Sequence, residues 1–220
     1  MIVTIDGPAG SGKSTAAREL AKAIGIAYLD TGATYRAMTL QALREGADMT
    51  DEPALARIAR RADIQVLPKS DGVRVLLNGE DVTRAIRSAE VSDNSHHVAR
   101  LPAVRDVLVA LQRKIGRSLG DFVAEGRDQG SVVFPHADVK FYMDASPQVR
   151  ARRRFEEMKA DGEDVQYEDV LRAIVQRDGR DRNRAVAPLV KPDGAVEIDT
   201  TDMSIEQVVA ELVRCVESRR

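Results

Sequence analysis

Residues 2–20 read IVTIDGPAGSGKSTAAREL, which combines a short apolar strand, a glycine-rich loop and the start of a helix. The glycines of residues 7–14 allow successive backbone N–H groups to turn inward around a phosphate chain. Lys13 can then reach the outer phosphates, and the Ser14 hydroxyl can ligate Mg²⁺. A helix that begins near Lys13 directs the positive end of its dipole at the same phosphates. This stretch therefore predicts a P-loop that binds a nucleoside triphosphate.

The composition is that of an ordinary globular protein. The chain has 220 residues, of which 43% are hydrophobic and 31% charged, enough for one substantial core and a small inserted lobe. No run of about 18 apolar residues or leader-like N-terminus is present, so we expect a cytoplasmic protein without membrane contact. Cys215 is the single cysteine and is expected in a helix, at least half-buried. A net charge of −2 argues against nucleic-acid binding.

Strands and helices alternate along most of the chain. Hydrophobic periodicity predicts strands over residues 2–5, 27–29, 122–125, 139–143 and 195–198. It predicts helices over residues 13–24, 33–45, 52–61, 92–116 (broken near Pro102), 147–160, 167–178 and 204–217. This alternation is typical of an α/β fold with a parallel, helix-flanked, doubly wound sheet.

Residues 63–92 interrupt this pattern. Apolar residues alternate there, and Ser70-Asp71-Gly72 and Asn78-Gly79 are turn signals. The segment is interpreted as a small antiparallel β-rich lobe inserted into the βα chain.

Polar clusters follow two further predicted strands. Asp30-Thr31-Gly32, with Arg36, follows the second strand, and Gly126-Arg127-Asp128 follows the strand at 122–125. Because ligands bind at the carboxyl ends of parallel strands, these clusters predict cations that face the P-loop. Taken singly, Asp30 and Thr31 could merely cap the next helix, and Arg127 with Asp128 could be a surface pair.

Two arginine clusters lie in the last third of the chain, at residues 150–154 and 177–184. The second is expected beyond a helix end, where alone it would be a solvated, salt-bridged surface. Together they favour a mobile, arginine-bearing lid that closes on the triphosphate and stabilises charge on the transferring group.

No residue stands out as a general base. A nucleotide monophosphate needs none, because a phosphate monoester loses its second proton near pKa ~6. Asp144 could be a Walker-B carboxylate or a helix cap, and both readings stay open. His96 and His97 point about 100° apart on a helix and have no evident partner ligands, so a surface or substrate-facing role is favoured over metal binding.

These features together resemble the bacterial-type cytidylate kinases, the (d)CMP kinase branch of the nucleoside monophosphate kinases. The matching segments are IDGP at 5–8, the P-loop, LDTGA at 29–33, Tyr35-Arg36, NG at 78–79, IR at 86–87, EV at 90–91, VR at 104–105, QR at 112–113, GRD at 126–128, VVFP at 132–135, RD at 177–178, DR at 181–182, APL at 187–189 and IDT at 198–200.

The resemblance implies a single P-loop kinase domain over residues 1–220, with a monophosphate-binding lobe at about 63–92 and a lid at about 150–166. It implies transfer of the γ-phosphoryl group of ATP to CMP or dCMP with Mg²⁺, by a monomer. The ATP phosphates would be held by Gly7, Pro8, Ala9, Gly10, Ser11, Gly12, Lys13, Ser14 and Thr15, with Mg²⁺ on Ser14. Transition-state charge would be met by Lys13, Arg150, Arg153 and Arg184. The acceptor phosphate would contact Thr31, Arg36 and Arg127, cytosine would contact Arg105 and Asp128, and ribose would contact Asp181 and Arg177.

One position departs from the family pattern. The family commonly has a base-contacting serine where His96 stands, and Ser95 lies one residue before it. Either Ser95 substitutes through a local shift or His96 supplies a different hydrogen bond. The alternatives to the whole reading are another small-acceptor kinase, related to shikimate or adenylate kinases, and a regulatory nucleotide switch. The switch is disfavoured because the guanine-reading motif Asn-Lys-x-Asp is absent.

Overall fold

The structure, a computed structural model, describes residues 1–69, 72–160 and 162–219. Its strands are β1 (Ile2–Asp6), β2 (Ala27–Asp30), β3 (Ile64–Lys69), β4 (Gly72–Leu77), β5 (Glu80–Asp81), β6 (Phe122–Gly126), β7 (Val139–Asp144) and β8 (Val196–Asp199). Its α-helices are α1 (Lys13–Ile24), α2 (Gly32–Arg44), α3 (Glu52–Arg61), α4 (Ala89–Ala99), α5 (Pro102–Leu119), α6 (Pro147–Ala160), α7 (Tyr167–Asn183) and α8 (Ile205–Glu217).

A five-stranded parallel sheet forms the centre of the molecule, in the order β2-β6-β1-β7-β8. One face is covered by α1 and α8, which contribute Leu20 and Leu212 to a core with Phe141. The other face packs against the helices α2, α3 and α5, with Met38 and Leu108 in the core. Two covered faces explain why the strands are continuous apolar runs. The predicted α/β class is confirmed.

A second sheet of three antiparallel strands, β3-β4-β5, lies within the segment predicted to be a β-rich insert. Its strands end at Asp81, and the rest of the segment is a 3₁₀ turn, Ala85–Arg87, and the start of α4. The Ser88 hydroxyl accepts the Val91 amide, and α4 begins at Ala89, three residues before the predicted start. Two residues of the predicted turn, Ser70 and Asp71, lie outside the described residues.

The predicted end of α7 near residue 178 is wrong. The helix continues to Asn183, so the cluster at 177–184 is helical except for its last residue. Gly179 is tolerated in the helix interior, where glycine costs only about 1 kcal/mol relative to alanine. The consequence is that Arg177 and Asp181 lie one turn apart on the same helix face.

Two interior helical glycines offer a matched test of packing. A methyl group at Gly116 in α5 would lie 2.8 Å from Cζ of Phe122, whereas one at Gly179 in α7 would meet nothing within 4 Å. We expect Gly116→Ala to lower the free energy of unfolding by about 1–3 kcal/mol through overpacking. Gly179→Ala should raise it by about 0.5–1 kcal/mol. Urea denaturation of both variants checks this, and equal midpoints would contradict the packing described for α5.

Candidate functional site

The glycine-rich loop takes a conformation that only glycine allows at three positions. Gly10 and Gly12 have φ of 76° and 82°, in the left-handed region. At Gly7 a Cβ atom would lie 2.0 Å from the carbonyl oxygen of Met143, at the end of the neighbouring strand β7. The loop therefore fits tightly over the carboxyl end of the sheet, and α1 begins directly after it at Lys13.

Lys13 is a buried cation whose side chain bonds to a backbone carbonyl. Its Nζ donates to the carbonyl oxygen of Pro8 at 3.1 Å, and the residue is 5% exposed. Burial, together with the positive charge of Arg127, lowers the pKa of Lys13 to about 7, although Glu125 acts in the opposite direction. An anion placed in the loop would supply the negative charge that this ammonium group lacks.

Glu125 is a site residue that the sequence reasoning did not select. It lies in β6 opposite Ile5 of β1, is buried, and its Oε1 accepts a hydrogen bond of 2.8 Å from the Ser14 hydroxyl. A hydroxyl and a carboxylate side by side are the hard oxygen donors that Mg²⁺ prefers, so these residues fit a magnesium ion. Its position at a strand end next to the P-loop strand was the available signal.

The cluster after β2 is held by a buried carboxylate. Asp30 accepts from the Ala33 amide at 3.0 Å and from Arg36 Nη2 at 2.7 Å, so it caps α2 and also fixes the arginine. The Thr31 hydroxyl donates to the Glu125 carbonyl oxygen at 2.7 Å. Asp30 thus makes the predicted cap and orients Arg36 at the same time, whereas the predicted cap by the Thr31 side chain is wrong.

A cavity of about 340 Å³ opens between the P-loop helix and the second sheet. It is lined on one side by Ser14, Tyr28 and Asp30 and on the other by Lys69, Thr83 and Arg87. A larger cavity of about 490 Å³ lies at the other end of the sheet, around Phe122 and Phe134, and contains none of the predicted site residues. We therefore relate the smaller cavity to the strand-end clusters.

Two ion pairs connect the residues that follow β6 to the helices α5 and α7. Arg105 of α5 pairs with Asp128, both about 3–4% exposed at their side chains, and its guanidinium lies 5.5 Å from the Tyr35 ring centroid. Arg127 Nε donates to Asp181 Oδ2 at 3.0 Å. Residues that are 23 and 54 positions apart in the chain thus meet at the end of one strand.

Two further arginines lie beside these pairs. Arg177 is exposed to solvent. Even so, desolvation by the surrounding protein, together with the positive charge of Arg127, lowers the pKa of Arg177 to about 10. Arg184 donates through Nε to the Ala187 carbonyl oxygen, and burial lowers its pKa against the opposing effect of Asp128. A group of like charges at one sheet edge favours an anionic ligand there.

Arg150 and Arg153 occupy positions different from those expected for lid residues. Arg150 is 1% exposed and donates to Ala145 O, to Ala9 O at 3.1 Å, and to both carboxylate oxygens of Asp178. Arg153 donates to the hydroxyl and carbonyl oxygens of Thr200. Both side chains are therefore already held by protein groups, and Arg150 contacts the P-loop backbone.

Asp144 ends β7 and does not cap α6. Its Oδ1 accepts the amide of Ala145, whereas the hydroxyl of Ser146 accepts the Val149 amide in the first turn of the helix. Arg150 and Arg182 lie within 3.8 Å of the Asp144 carboxylate. The capping interpretation is thus wrong, and the Walker-B interpretation stays a prediction.

Ser95 and His96 both bond to their own helix α4. The Ser95 hydroxyl donates to Ser92 O at 2.9 Å, and His96 Nδ1 lies 2.6 Å from Asp93 O. A hydrogen on Nδ1 leaves Nε2 of His96 as an acceptor.

No group of three or more metal-ligating side chains occurs in residues 1–69, 72–160 and 162–219. Over the same residues, no helix is long and apolar enough to span a membrane.

The chain is similar to known proteins over almost its whole length. A family model described as cytidylate kinase matches residues 3–218. The chain is 49% identical over 207 residues to a cytidylate kinase of Caldanaerobacter subterraneus, covering 94% of this chain and 90% of that protein. It is 46% identical to a cytidylate kinase of Carboxydothermus hydrogenoformans, covering 98% and 97% of the two chains.

Among solved structures, TT1252 from Thermus thermophilus is similar with a TM-score of 0.50 over 99% of this chain and 96% of that one. At 18% identity this similarity supports the fold alone. Because one family model spans nearly the whole chain, and relatives approaching half identity align over almost their full length, the chain belongs to the cytidylate kinase family.

Proposed function

We propose that this chain transfers the γ-phosphoryl group of Mg-ATP to dCMP as well as to CMP, with the donor in the P-loop and the acceptor at the residues that follow β2 and β6. ATP-dependent phosphorylation of CMP, in nucleotide metabolism, is the activity of the family to which the chain belongs. The observation that carries the residue assignments is the pair of ion pairs Arg105–Asp128 and Arg127–Asp181 beside the P-loop.

The donor half consists of the P-loop and its first helical turn. Residues 7–15 surround the ATP phosphates with their backbone N–H groups, which all of them except Pro8 possess, and Lys13 neutralises charge on the outer phosphates. Ser14 and Glu125 would hold Mg²⁺, and that ion, when bound, offsets charge on the β- and γ-phosphates. The bond between Ser14 and Glu125 supports this pairing, because it keeps both oxygens at one position before any ligand arrives.

The acceptor half uses arginines for phosphate and a carboxylate for the base. Arg36, Arg127 and the Thr31 hydroxyl bind the phosphate, whose nucleophilic oxygen is already ionised and needs no general base. Asp128 accepts a hydrogen bond from the cytosine amino group, and Arg105 donates to the acceptor edge of the ring. Uracil presents a carbonyl in place of the amino group and is repelled by Asp128.

Residues of α7, and Arg184 directly after it, contact the ribose and the transferring phosphoryl group. Asp181 and Arg177 lie one turn apart and bind the ribose, and Arg184 meets charge on the transferring group. For Arg150 and Arg153 we propose a role through the P-loop, since Arg150 bonds to Ala9 O and Arg153 lies beside Gly12. At the base, Ser95 or His96 supplies one further hydrogen bond.

We propose that the lobe at 63–92 and the lid at about 150–166 close over the substrates and exclude water. The hairpin of α6 and α7 supports this, because Ala151, Val170 and Ile174 form a small core of their own. Residue 161 of this lid lies outside the described residues.

We further propose that the protein is a cytoplasmic monomer that binds no nucleic acid. The monomer is supported by the small number of large apolar side chains that are exposed in the described ranges, which are Leu67, Val175 and Val190.

The experiment that tests the function is ADP production from Mg-ATP with CMP, dCMP, UMP, AMP, GMP or shikimate as separate acceptors. We expect strong turnover with CMP and dCMP and weak turnover with the others. Turnover with CMP alone would remove dCMP from the proposal. Turnover with shikimate or AMP would contradict the assignment of Arg105 and Asp128 to cytosine.

Replacement of the P-loop lysine tests the donor half. Lys13→Ala should lower kcat by about 100-fold or more, because it removes a positive charge aimed at the transferring phosphoryl group. Lys22→Ala in the same helix is the matched control, since Lys22 is exposed, and its kcat should equal that of the wild type. Circular dichroism of both variants checks the fold. An unchanged kcat in Lys13→Ala would overturn the role assigned to the loop.

Replacement of Asp128 tests reading of the base. Asp128→Asn should lower the ratio of kcat/KM for CMP over UMP by about 5- to 150-fold, because an amide can donate to uracil and the carboxylate cannot. Asp106→Asn is the control, because Asp106 is exposed and follows Arg105 in the chain. Asp128→Ala should weaken CMP selectivity more than ATP binding. Equal losses with every acceptor would contradict base reading at this position.

A further inference from the structure

Asp6 is a buried carboxylate that the mechanism above does not use. It is the last residue of β1 and is fully buried, at 0% exposure. Its Oδ1 accepts the amide of Gln129 and its Oδ2 accepts the amide of Gly130, both at 2.7 Å. A carboxylate with one amide on each oxygen is a two-point attachment, which fixes the orientation of the attached backbone as well as its distance.

The attached backbone continues directly from the acceptor residues. Gln129 and Gly130 begin a π-helical turn immediately after Arg127 and Asp128, and Asp6 is paired in register with Gly126. The segment 126–130 is thus fastened to β1 before and after the two acceptor residues. Arg127 and Asp128 lie between these attachments, so their backbone cannot shift along β1 unless one of them breaks.

The fit of this segment against β1 is close. A Cβ atom at Gly130 would lie 2.8 Å from the hydroxyl oxygen of Thr4, which points to the same side of the strand as Asp6. Asp6 is also followed at once by Gly7, the first P-loop residue. The end of β1 is therefore connected to the donor loop by the chain itself, and to the acceptor segment by the hydrogen bonds of the Asp6 side chain.

The ionised form of Asp6 depends on its two hydrogen bonds to backbone amides. Burial raises the pKa of Asp6 to about 7, against the two amides, which lower it. The negative charge of Asp128 raises the pKa further, and the positive charge of Arg127 lowers it. An ionised carboxylate in this position depends on its amide partners, because water does not reach it.

We propose that Asp6 is a positioning residue, which fixes the acceptor residues Arg127 and Asp128 relative to the P-loop through its bonds to the amides of Gln129 and Gly130. The inference rests on the proposed function, because that function assigns Arg127 and Asp128 to the acceptor. Asp6 itself contacts no substrate. Its loss should therefore weaken CMP binding through misplacement of the arginine and the carboxylate, and leave the ATP phosphates in place.

The test compares Asp6→Asn with Thr4→Val in the full-length chain. Asparagine keeps the shape of aspartate but offers one acceptor oxygen, so one of the two amides loses its partner. Thr4 is equally buried, on the same strand and face, and its hydroxyl has no hydrogen-bond partner among the described residues. Thr4→Val is therefore a matched control for a change of buried polarity in β1.

We expect Asp6→Asn to raise KM for CMP about 10-fold or more and to change KM for Mg-ATP less than about 2-fold. Hydrogen exchange at the amides of Gln129 and Gly130 should become faster. Thr4→Val should leave both values of KM and the exchange rates close to those of the wild type. If Asp6→Asn leaves KM for CMP unchanged, or raises both values of KM equally, the positioning role is wrong.

Two further measurements keep the test decisive. If Asp6→Asn does not fold, Gly130→Ala replaces it, because the added methyl group moves the segment away from β1 and leaves Asp6 intact; the same selective rise in KM for CMP is expected, and its absence overturns the inference. Turnover of CMP by the wild type tests the proposed function separately. If the wild type does not phosphorylate CMP, the proposed function is refuted. If the wild type is active and Asp6→Asn has an unchanged KM for CMP, this inference alone is refuted.

Discussion

The parallel pairing of β1 with β6 is the constraint on which the rest of the site depends. Its register sets Ile5 opposite Glu125 and Asp6 opposite Gly126. The proposed donor loop follows the end of β1 and the proposed acceptor residues follow the end of β6, so a single pair of strands fixes the distance between the two groups of residues. A shift of that register by one residue would turn every side chain of β6 to the opposite face and would separate Glu125 from Ser14.

Buried charge is compensated in different ways in the two halves of the site. On the acceptor side, Arg105 is neutralised by Asp128, and deeper in the molecule Arg150 is neutralised by Asp178. Lys13 is equally buried, but its hydrogen bond goes to an uncharged carbonyl. The first two arrangements are complete without a ligand, whereas the environment of Lys13 favours an incoming anion. This difference separates two ion pairs whose charges are balanced before a substrate binds from a lysine whose charge an anionic substrate would balance.

The sequence predicts the parts of this molecule that depend on local patterns. The P-loop, the parallel sheet and the clusters after β2 and β6 all follow from periodicity and from residue types at strand ends. The continuation of α7 past Gly179 does not, because packing against α6 and the pair between Arg150 and Asp178 outweigh a weak local preference. Glu125 and Asp6 were overlooked for a related reason. Their partners lie 111 and 123 residues away or more, and no local pattern reports such a bond.

The same long-range bonds limit how the proposed lid could move. If Arg150 swung into the cleft, Asp178 would be left buried without its partner, which costs about 3–5 kcal/mol when one member of a buried pair is removed. Arg150 would also release the carbonyl oxygen of Ala9 in the P-loop. Closure is therefore easier if this pair stays intact as a pivot and the exposed parts of α6 and α7 move around it. Arg152 and Arg180 are exposed on those parts and donate no hydrogen bond to the P-loop, so their movement would break none of these bonds.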